Sequence, residues 1–187
     1  NRARDGKYCK CGRFTTIRNC GFRNAGDEMI EIREIKQDER EFLREMLYEA
    51  IYFADESKRL PKSIVHEPHL AKYIENFGRR GDFAFVLLDE NVLVGAIWAR
   101  LFAKSEKSYG FVDEETPEFS IAIREQLRNR GFGKQLLQRL FEKLKSQGFE
   151  KISLSVDKLN PAVRLYLRLG FEIIAEKGTA FTMLKKL

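Results

Sequence analysis

One continuous stretch, residues 119–144, limits what this chain can fold into, because it joins a strand pattern to a helix pattern through a short loop. Its first part alternates the apolar residues Phe119, Ile121 and Ile123 with other residues, which predicts a strand with one buried face. Its last part repeats apolar residues at helical spacing, which predicts an amphipathic helix. The chain therefore contains a strand, a loop and a helix in immediate succession.

The loop between these elements, residues 128–134, reads RNRGFGK and is both basic and glycine-containing. A loop that leads into a helix directs unpaired backbone N–H groups and the positive end of the helix dipole toward an anion. Gly131 and Gly133 lack a Cβ, so a phosphate can approach the backbone closely. The G-K-[ST] ending of a P-loop and the third glycine of the dinucleotide fingerprint are both missing. We predict a seat for the diphosphate of a different ligand, with a tight turn and solvated charges as the alternative.

Length and composition describe a single globular domain. The 187 residues suffice for one domain with a substantial core. No apolar run reaches the roughly 18 residues of a membrane span, and the N-terminus has no apolar signal segment. Because the main domain contains no cysteine, it needs no oxidising compartment, and we expect a cytoplasmic protein.

The first 28 residues differ in composition from the main domain, residues 29–187. They hold +4 of the net charge of +6 and all three cysteines, Cys9, Cys11 and Cys20. No fourth ligand with tetrahedral spacing is nearby, so no metal is predicted. We interpret this segment as a basic, flexible extension, with sequence upstream of a start at Met29 as the alternative. Since most of the basic charge lies there, a nucleic-acid partner is not expected.

Apolar periodicity and turn residues divide the main domain into the order β, α, α, β, β, β, α, β, α, β, β. Asp38 is predicted to cap a helix that reaches about Ala54, and Pro68 to begin a second helix. Asn160 begins a short helix that Gly170 ends. This order predicts an α/β fold in which a mixed sheet carries helices on its faces.

Two motifs occur in this order, each in its expected element. Arg128, Gly131 and Gly133 match a signature of Arg or Gln, two residues, a glycine, one residue, and then Gly or Ala. Asn160 and Tyr166 match a second element, an Asn followed six residues later by a Tyr. Together they resemble the GNAT superfamily of acetyl-CoA-dependent N-acetyltransferases across the main domain. The resemblance implies a mostly antiparallel sheet with a splayed parallel strand pair in its middle.

The resemblance further implies that acetyl-CoA is the co-substrate. Its amide arm is expected to bond the exposed backbone of the strand before the loop, as an added strand would, and its diphosphate to lie on the loop N–H groups. The alternative is that both central strands are ordinary paired core strands. The residues implied in binding are Ile121, Ala122, Ile123, Arg128, Asn129, Arg130, Gly131, Phe132, Gly133, Lys134 and Asn160.

The implied reaction is direct attack of a primary amine on the acetyl thioester. An alkyl amine with a pKa of about 10.4 is mostly ammonium at pH 7, so a base is needed. Glu118 is the leading candidate, because it opens the central strand on the same face as Ser120 and Ala122. His66 and His69 are alternative bases. The plain structural interpretation of Glu118 is a salt-bridged surface glutamate.

The resemblance implies that Tyr166 donates a hydrogen bond to the departing thiolate. The alternative is a tyrosine packed with Val163 and Leu169 on the buried face of its helix. The rival function is a non-catalytic acyl-CoA sensor on the same scaffold. The acceptor, a small-molecule or peptide amine, is expected to bind among residues 36–80 and 176–179. Exposed sheet edges make a homodimer a further expectation.

Overall fold

The structure is a computed structural model that describes residues 29–187, so the three cysteines lie outside the described residues. Within this part, the strands are β1 (Ile30–Glu34), β2 (Phe83–Asp89), β3 (Val92–Arg100), β4 (Glu118–Ile123), β5 (Lys151–Asp157), β6 (Glu172–Lys177) and β7 (Ala180–Lys186). The α-helices are α1 (Phe42–Ala50), α2 (Pro68–Ala71), α3 (Phe132–Ser146) and α4 (Val163–Arg168). The order of strands and helices is the predicted one.

The described strands form one seven-stranded sheet in the order β1-β2-β3-β4-β5-β7-β6. All neighbouring strands in it are antiparallel except β4 and β5, which are parallel. The predicted fold class, a mixed and mostly antiparallel sheet with helices on both faces, is therefore confirmed. The position of β7 between β5 and β6 was not predicted, because apolar periodicity identifies strands but not their partners.

The alternation of side chains along the strands places one hydrophobic cluster on each face of the sheet. One cluster lies under α3 and α4 and includes the fully buried Leu137. The other lies under α1 and α2 and includes the fully buried Leu43. β4 contributes Phe119 to the first cluster and Ala122 to the second. Glu118 has the same parity as Ala122, so it points to the α1 side.

In residues 29–187, β4 and β5 pair only at the beginning of β4. In the described chain, their one bridge joins Glu118 to Ser153, and the Ser153 N–H donates to the Pro117 carbonyl at 3.0 Å. β4 nevertheless stays paired with β3 as far as Ile123. The two parallel strands therefore separate toward the loop that leads into α3. The predicted splayed pair is confirmed.

The helix predicted from Asp38 to Ala54 is too long, because α1 occupies only Phe42–Ala50. Asp38 lies in a separate 3₁₀ turn, Gln37–Glu39, and does not cap α1. The Glu39 carboxylate accepts hydrogen bonds from the Lys36 N–H (2.9 Å) and from the Arg33 guanidinium (2.6 and 2.7 Å), which holds that turn apart from the helix. These contacts between local side chains override the apolar periodicity.

The helix predicted from Pro68 is likewise a single turn, α2, followed by further turns to about residue 76. No helix in residues 29–187 combines the length and the apolar character that crossing a bilayer requires. The same residues contain no group of three or more His, Cys, Asp or Glu side chains that could hold a metal ion. The cytoplasmic location and the homodimer stay predictions.

Candidate active site

Beyond the bridge between Glu118 and Ser153, a gap separates β4 from β5. The side of β4 that faces β5 presents backbone groups to this gap. In a strand, the N–H and C=O groups of alternate residues point to the same neighbour. The Pro117 carbonyl bonds β5, so the groups of Ile121 and Ile123 also point that way, whereas Ala122 pairs with β3. The Ile123 carbonyl accepts a hydrogen bond from Arg128 Nε at 2.8 Å. Within the described chain, the N–H groups of Ile121 and Ile123 are left without a strand partner.

The loop after β4 enters α3 through two residues with left-handed backbone. Asn129 has a φ of 62° and Gly131 a φ of 86°, and the second angle favours glycine. A Cβ on Gly131 would meet no atom within 4 Å, so a ligand can reach its backbone. The N–H groups that donate no hydrogen bond to a described residue are those of Asn129, Gly131, Phe132 and Gly133. Such donors at the start of a 15-residue helix can hold an anion.

The basic side chains of this loop have different surroundings. Arg128 Nη2 lies 3.5 Å from a Glu49 carboxylate oxygen of α1, while its Nε bonds β4. Arg128 therefore braces the loop against both elements, and Glu49 offsets part of its charge. The Arg130 guanidinium lies 5.7 Å from the centre of the Phe132 ring. Lys134 is exposed in the first turn of α3, next to the unpartnered N–H groups.

Glu118 lies at the closed end of the gap and is only 4% exposed. Its Oε1 accepts a hydrogen bond from the Tyr73 hydroxyl (3.2 Å), and its Oε2 accepts one from the Gly110 N–H (2.9 Å). A Cβ on Gly110 would lie 2.6 Å from the Leu154 carbonyl carbon, so only glycine fits between Glu118 and β5. The interpretation as a salt-bridged surface glutamate is wrong, because burial in this pocket excludes solvent.

Burial in this dry environment raises the pKa of the Glu118 carboxyl to about 7. Three uncharged neighbours favour the charged form and offset part of that cost. They are the Ser108 hydroxyl, which faces the carboxylate without regular hydrogen-bond geometry, the Gly110 N–H and the Tyr73 hydroxyl. A carboxyl with a pKa near neutrality can accept and release a proton at physiological pH.

Tyr166 lies on the opposite face of β4 from Glu118. Its ring packs edge-on against Phe119 and against Phe171, with ring centres 5.8 Å apart in both pairs. Burial raises the pKa of the Tyr166 hydroxyl, so the group keeps its proton. No described residue bonds that hydroxyl. The tyrosine is thus both a core residue, as the structural alternative predicted, and an unused hydrogen-bond donor.

Asn160 stands where β5 leads into α4. Its Oδ1 accepts a hydrogen bond from the Ala162 N–H at 2.9 Å, within the turn that precedes α4. The N-cap of α4 is Ala162, so the predicted cap at Asn160 is wrong. Its side-chain amide nitrogen has no partner in the described part of the chain. Next to it, the Leu159 carbonyl accepts a hydrogen bond from the Tyr52 hydroxyl at 3.1 Å. The loop after α1 therefore reaches the loop after β5.

The two histidines lie away from Glu118. His66 Nδ1 is 3.4 Å from Arg44 Nη1, and the His69 ring meets the Tyr109 ring edge-on at 6.4 Å. His66 also lines a cavity of about 520 Å³ whose walls, formed by residues 41–49, 59–66 and 124–126, carry mostly charged side chains. Neither histidine contacts Glu118 in the described structure, which leaves the glutamate as the better-placed candidate base.

Two groups that hold the Glu118 carboxylate were not predicted from the sequence. They are the Tyr73 hydroxyl and the Gly110 N–H. Tyr73 is 45 residues from Glu118 in the sequence, where its pattern predicts only a core aromatic residue. Gly110 belongs to a polar loop in which no pattern marks it. Their roles arise only when the turn after α2 and the loop before β4 meet beside the gap.

This chain is similar to known proteins in sequence and in fold. The model of the acetyltransferase (GNAT) family matches residues 33–171. An L-methionine sulfoximine/L-methionine sulfone acetyltransferase of Pseudomonas aeruginosa is 41% identical over 59 residues, or 31% of this chain and 34% of that protein. The match therefore spans about a third of that relative's length.

Two solved structures resemble the fold. A PaiA N-acetyltransferase from Thermoplasma acidophilum in complex with coenzyme A has a TM-score of 0.60 at 20% identity, covering 84% of this chain and 99% of that one. A ribosomal-protein-alanine N-acetyltransferase from Brucella melitensis has a TM-score of 0.59 at 21% identity, with coverage of 84% and 99%. At these identities the likeness establishes the fold alone.

The burial of Glu118 predicts a pH-dependent stability. The pKa of Glu118 is about 7 in the folded protein, whereas an ordinary glutamate has a pKa of 4.5. Between these two pH values, the folded protein therefore binds one proton more than the unfolded chain. The free energy of unfolding should therefore fall by about 3 kcal/mol as the pH rises through this interval. Urea unfolding at pH 5 and pH 8 should show this fall for the wild type and not for Glu118→Gln. The exposed Glu106→Gln is the control, and an equal fall in all three proteins would contradict the burial effect.

Proposed function

This chain belongs to the acetyltransferase (GNAT) family, and from that premise we propose that it transfers an acetyl group from acetyl-CoA to a primary amine of a small molecule. The family predicted from the two motifs is thereby confirmed. The acceptor and the roles of individual residues are part of the proposal. The L-methionine sulfoximine/L-methionine sulfone acetyltransferase, which is similar over 59 residues, supports an amino-acid-like acceptor.

The observation that carries the proposal is the gap between β4 and β5, with unpartnered N–H groups along one wall and at its mouth. The N–H groups of Ile121 and Ile123 can donate to an extended chain that enters the gap and takes the place of a strand. The loop before α3 offers its N–H groups to a diphosphate. An extended chain with amide groups and a diphosphate at one end, the acetyl-CoA arm, matches both. The amide nitrogen of Asn160 adds a donor beside that arm.

The acceptor amine must lose a proton before it can attack. An alkyl ammonium with a pKa of about 10.4 costs roughly 4 to 5 kcal/mol to neutralise at pH 7. Glu118, whose pKa of about 7 exceeds that of an ordinary glutamate, is the proposed base, and it receives the proton directly or through water. The amine nitrogen then bonds the thioester carbon while the carbon–sulfur bond breaks. Glu118 passes the first proton on to water, and its carboxylate then accepts the second proton from the nitrogen.

The thiolate that departs needs stabilisation on the other side of the gap. Tyr166 lies on the face of β4 opposite Glu118, and its hydroxyl has no partner among the described residues. Because burial raises its pKa, Tyr166 keeps its proton and acts as a hydrogen-bond donor to sulfur. With the base on one face of β4 and the donor on the other, the nitrogen can lose its protons on one side while the departing sulfur is stabilised on the other.

The amine specificity is tested with a panel of acceptors and acetyl-CoA, with free thiol as the product measured. The panel begins with L-methionine sulfoximine and L-methionine sulfone and continues with amino acids, polyamines and peptides with a free N-terminus. We expect thiol release with at least one small-molecule amine, and an at least tenfold lower rate in Glu118→Gln. Calorimetry with acetyl-CoA alone is the binding control. Tight binding without thiol release for any amine would instead indicate a non-catalytic acyl-CoA sensor.

The role of Tyr166 is tested with Tyr166→Phe, which keeps the ring packed against Phe119 and removes the donor. We expect turnover to fall about tenfold or more, because the thiolate loses a hydrogen bond worth about 1.5–3 kcal/mol to a charged group. The dissociation constant of acetyl-CoA should change little. Unchanged turnover would remove Tyr166 from the mechanism.

A further inference from the structure

The turn that follows α2 is fixed to β3 by a buried arginine. Arg100 is 1% exposed, and its guanidinium donates to the carbonyl oxygens of Lys72 (2.6 Å) and Glu75 (2.7 Å). It also bonds both oxygens of the buried Asp82 carboxylate, at 3.0 and 2.7 Å. A planar guanidinium engaged through all three nitrogens holds its partners in one geometry. The main chain on both sides of Tyr73 is therefore held in place.

The Tyr73 side chain reaches from this turn to the closed end of the gap. It is 5% exposed, and its ring centre lies 5.1 Å from that of Phe102. Its hydroxyl accepts a hydrogen bond from the Tyr109 N–H (2.9 Å) and donates one to Glu118 Oε1 (3.2 Å). Burial, together with the nearby Glu118 charge, raises the pKa of the Tyr73 hydroxyl. Tyr73 therefore keeps its proton and acts as a donor.

We infer that Tyr73 is a positioning residue: its hydroxyl, clamped through Arg100, holds the Glu118 carboxylate in the orientation and charge state in which it accepts the proton of the acceptor amine. This inference rests on the proposed function, since it takes Glu118 as the base. Tyr73 itself acts through Glu118 and exchanges no proton with the substrates. The Arg100–Asp82 pair acts one step further away, by fixing the turn.

The charged groups around Glu118 explain why this one hydrogen bond matters. Arg100 is the cross-strand partner of Glu118, but its charge is turned to Asp82. The Lys72 ammonium favours the carboxylate weakly and donates its own hydrogen bond to a backbone carbonyl. In the described residues no cation forms an ion pair with Glu118, so neutral donors stabilise its charge. Besides Tyr73, these are the Gly110 N–H, which donates at 2.9 Å, and the Ser108 hydroxyl, which faces the carboxylate without regular hydrogen-bond geometry.

The test is Tyr73→Phe, which removes the hydroxyl and keeps the ring. Loss of a hydrogen bond to a charged group corresponds to about one to two pKa units. We therefore expect the pKa of Glu118 to rise from about 7 to a value about one to two units higher. The value of kcat/KM at pH 7 should fall about five- to fifty-fold, because less of Glu118 is deprotonated, and it should recover as the pH is raised toward 9. The pKa is read by NMR on protein with ¹³C-labelled glutamate carboxyls, without substrates, and the rate by thiol release.

Tyr109→Phe is the matched control, because it removes an exposed hydroxyl and keeps the main-chain N–H that bonds Tyr73. It should leave both the titration of Glu118 and the pH profile unchanged. If the pKa of Glu118 in Tyr73→Phe is the same as in the wild type, the inference is wrong, even where the rate of Tyr73→Phe falls equally at every pH. The proposed function would still stand. A raised pKa with an unmoved pH profile would instead reject Glu118 as the base, and with it the proposed mechanism.

Discussion

The single bridge between Glu118 and Ser153 determines where β4 and β5 begin to separate, and the binding site depends on that separation. Beyond it, β4 follows β3 and β5 follows β7, because each has a long antiparallel partner on its outer side. The inner backbones separate and leave N–H groups of β4 without partners in the described structure. Unpaired backbone donors cost free energy wherever water cannot replace the lost partner. A ligand with the hydrogen-bonding pattern of a strand removes that cost, and the gap thereby becomes a selective site for an extended amide chain.

The two ends of this gap have different chemistry, and β4 supplies both. Its open end leads into the loop of α3, where backbone N–H groups and the helix dipole favour an anion. Its closed end holds Glu118 in a dry pocket that raises its pKa to about 7. Six residues of strand, about 20 Å at roughly 3.3 Å per residue, separate Glu118 from Arg124. In the proposed complex, an arm anchored at the open end delivers its thioester toward the closed end.

Features that depend on local spacing could be predicted from the sequence. The parity of Glu118 with Ala122 set its face, and the glycines of residues 128–134 marked the loop before α3. Features that depend on contacts distant in sequence could not. The early end of α1, the place of β7 inside the sheet and the hydrogen bond from Tyr73 to Glu118 each follow from packing between segments that have no common pattern. The motif residues were therefore easier to predict than the groups that hold them.

The central claim is that the gap receives the arm of acetyl-CoA, and a crystal structure of the complex with coenzyme A tests it most directly. The account predicts the amide arm between β4 and β5, hydrogen-bonded to the backbone of Ile121 and Ile123, with the diphosphate on the N–H groups of Asn129, Gly131 and Phe132. A complex in which the gap is closed by regular pairing of β4 with β5, and coenzyme A binds elsewhere on the surface, would contradict it.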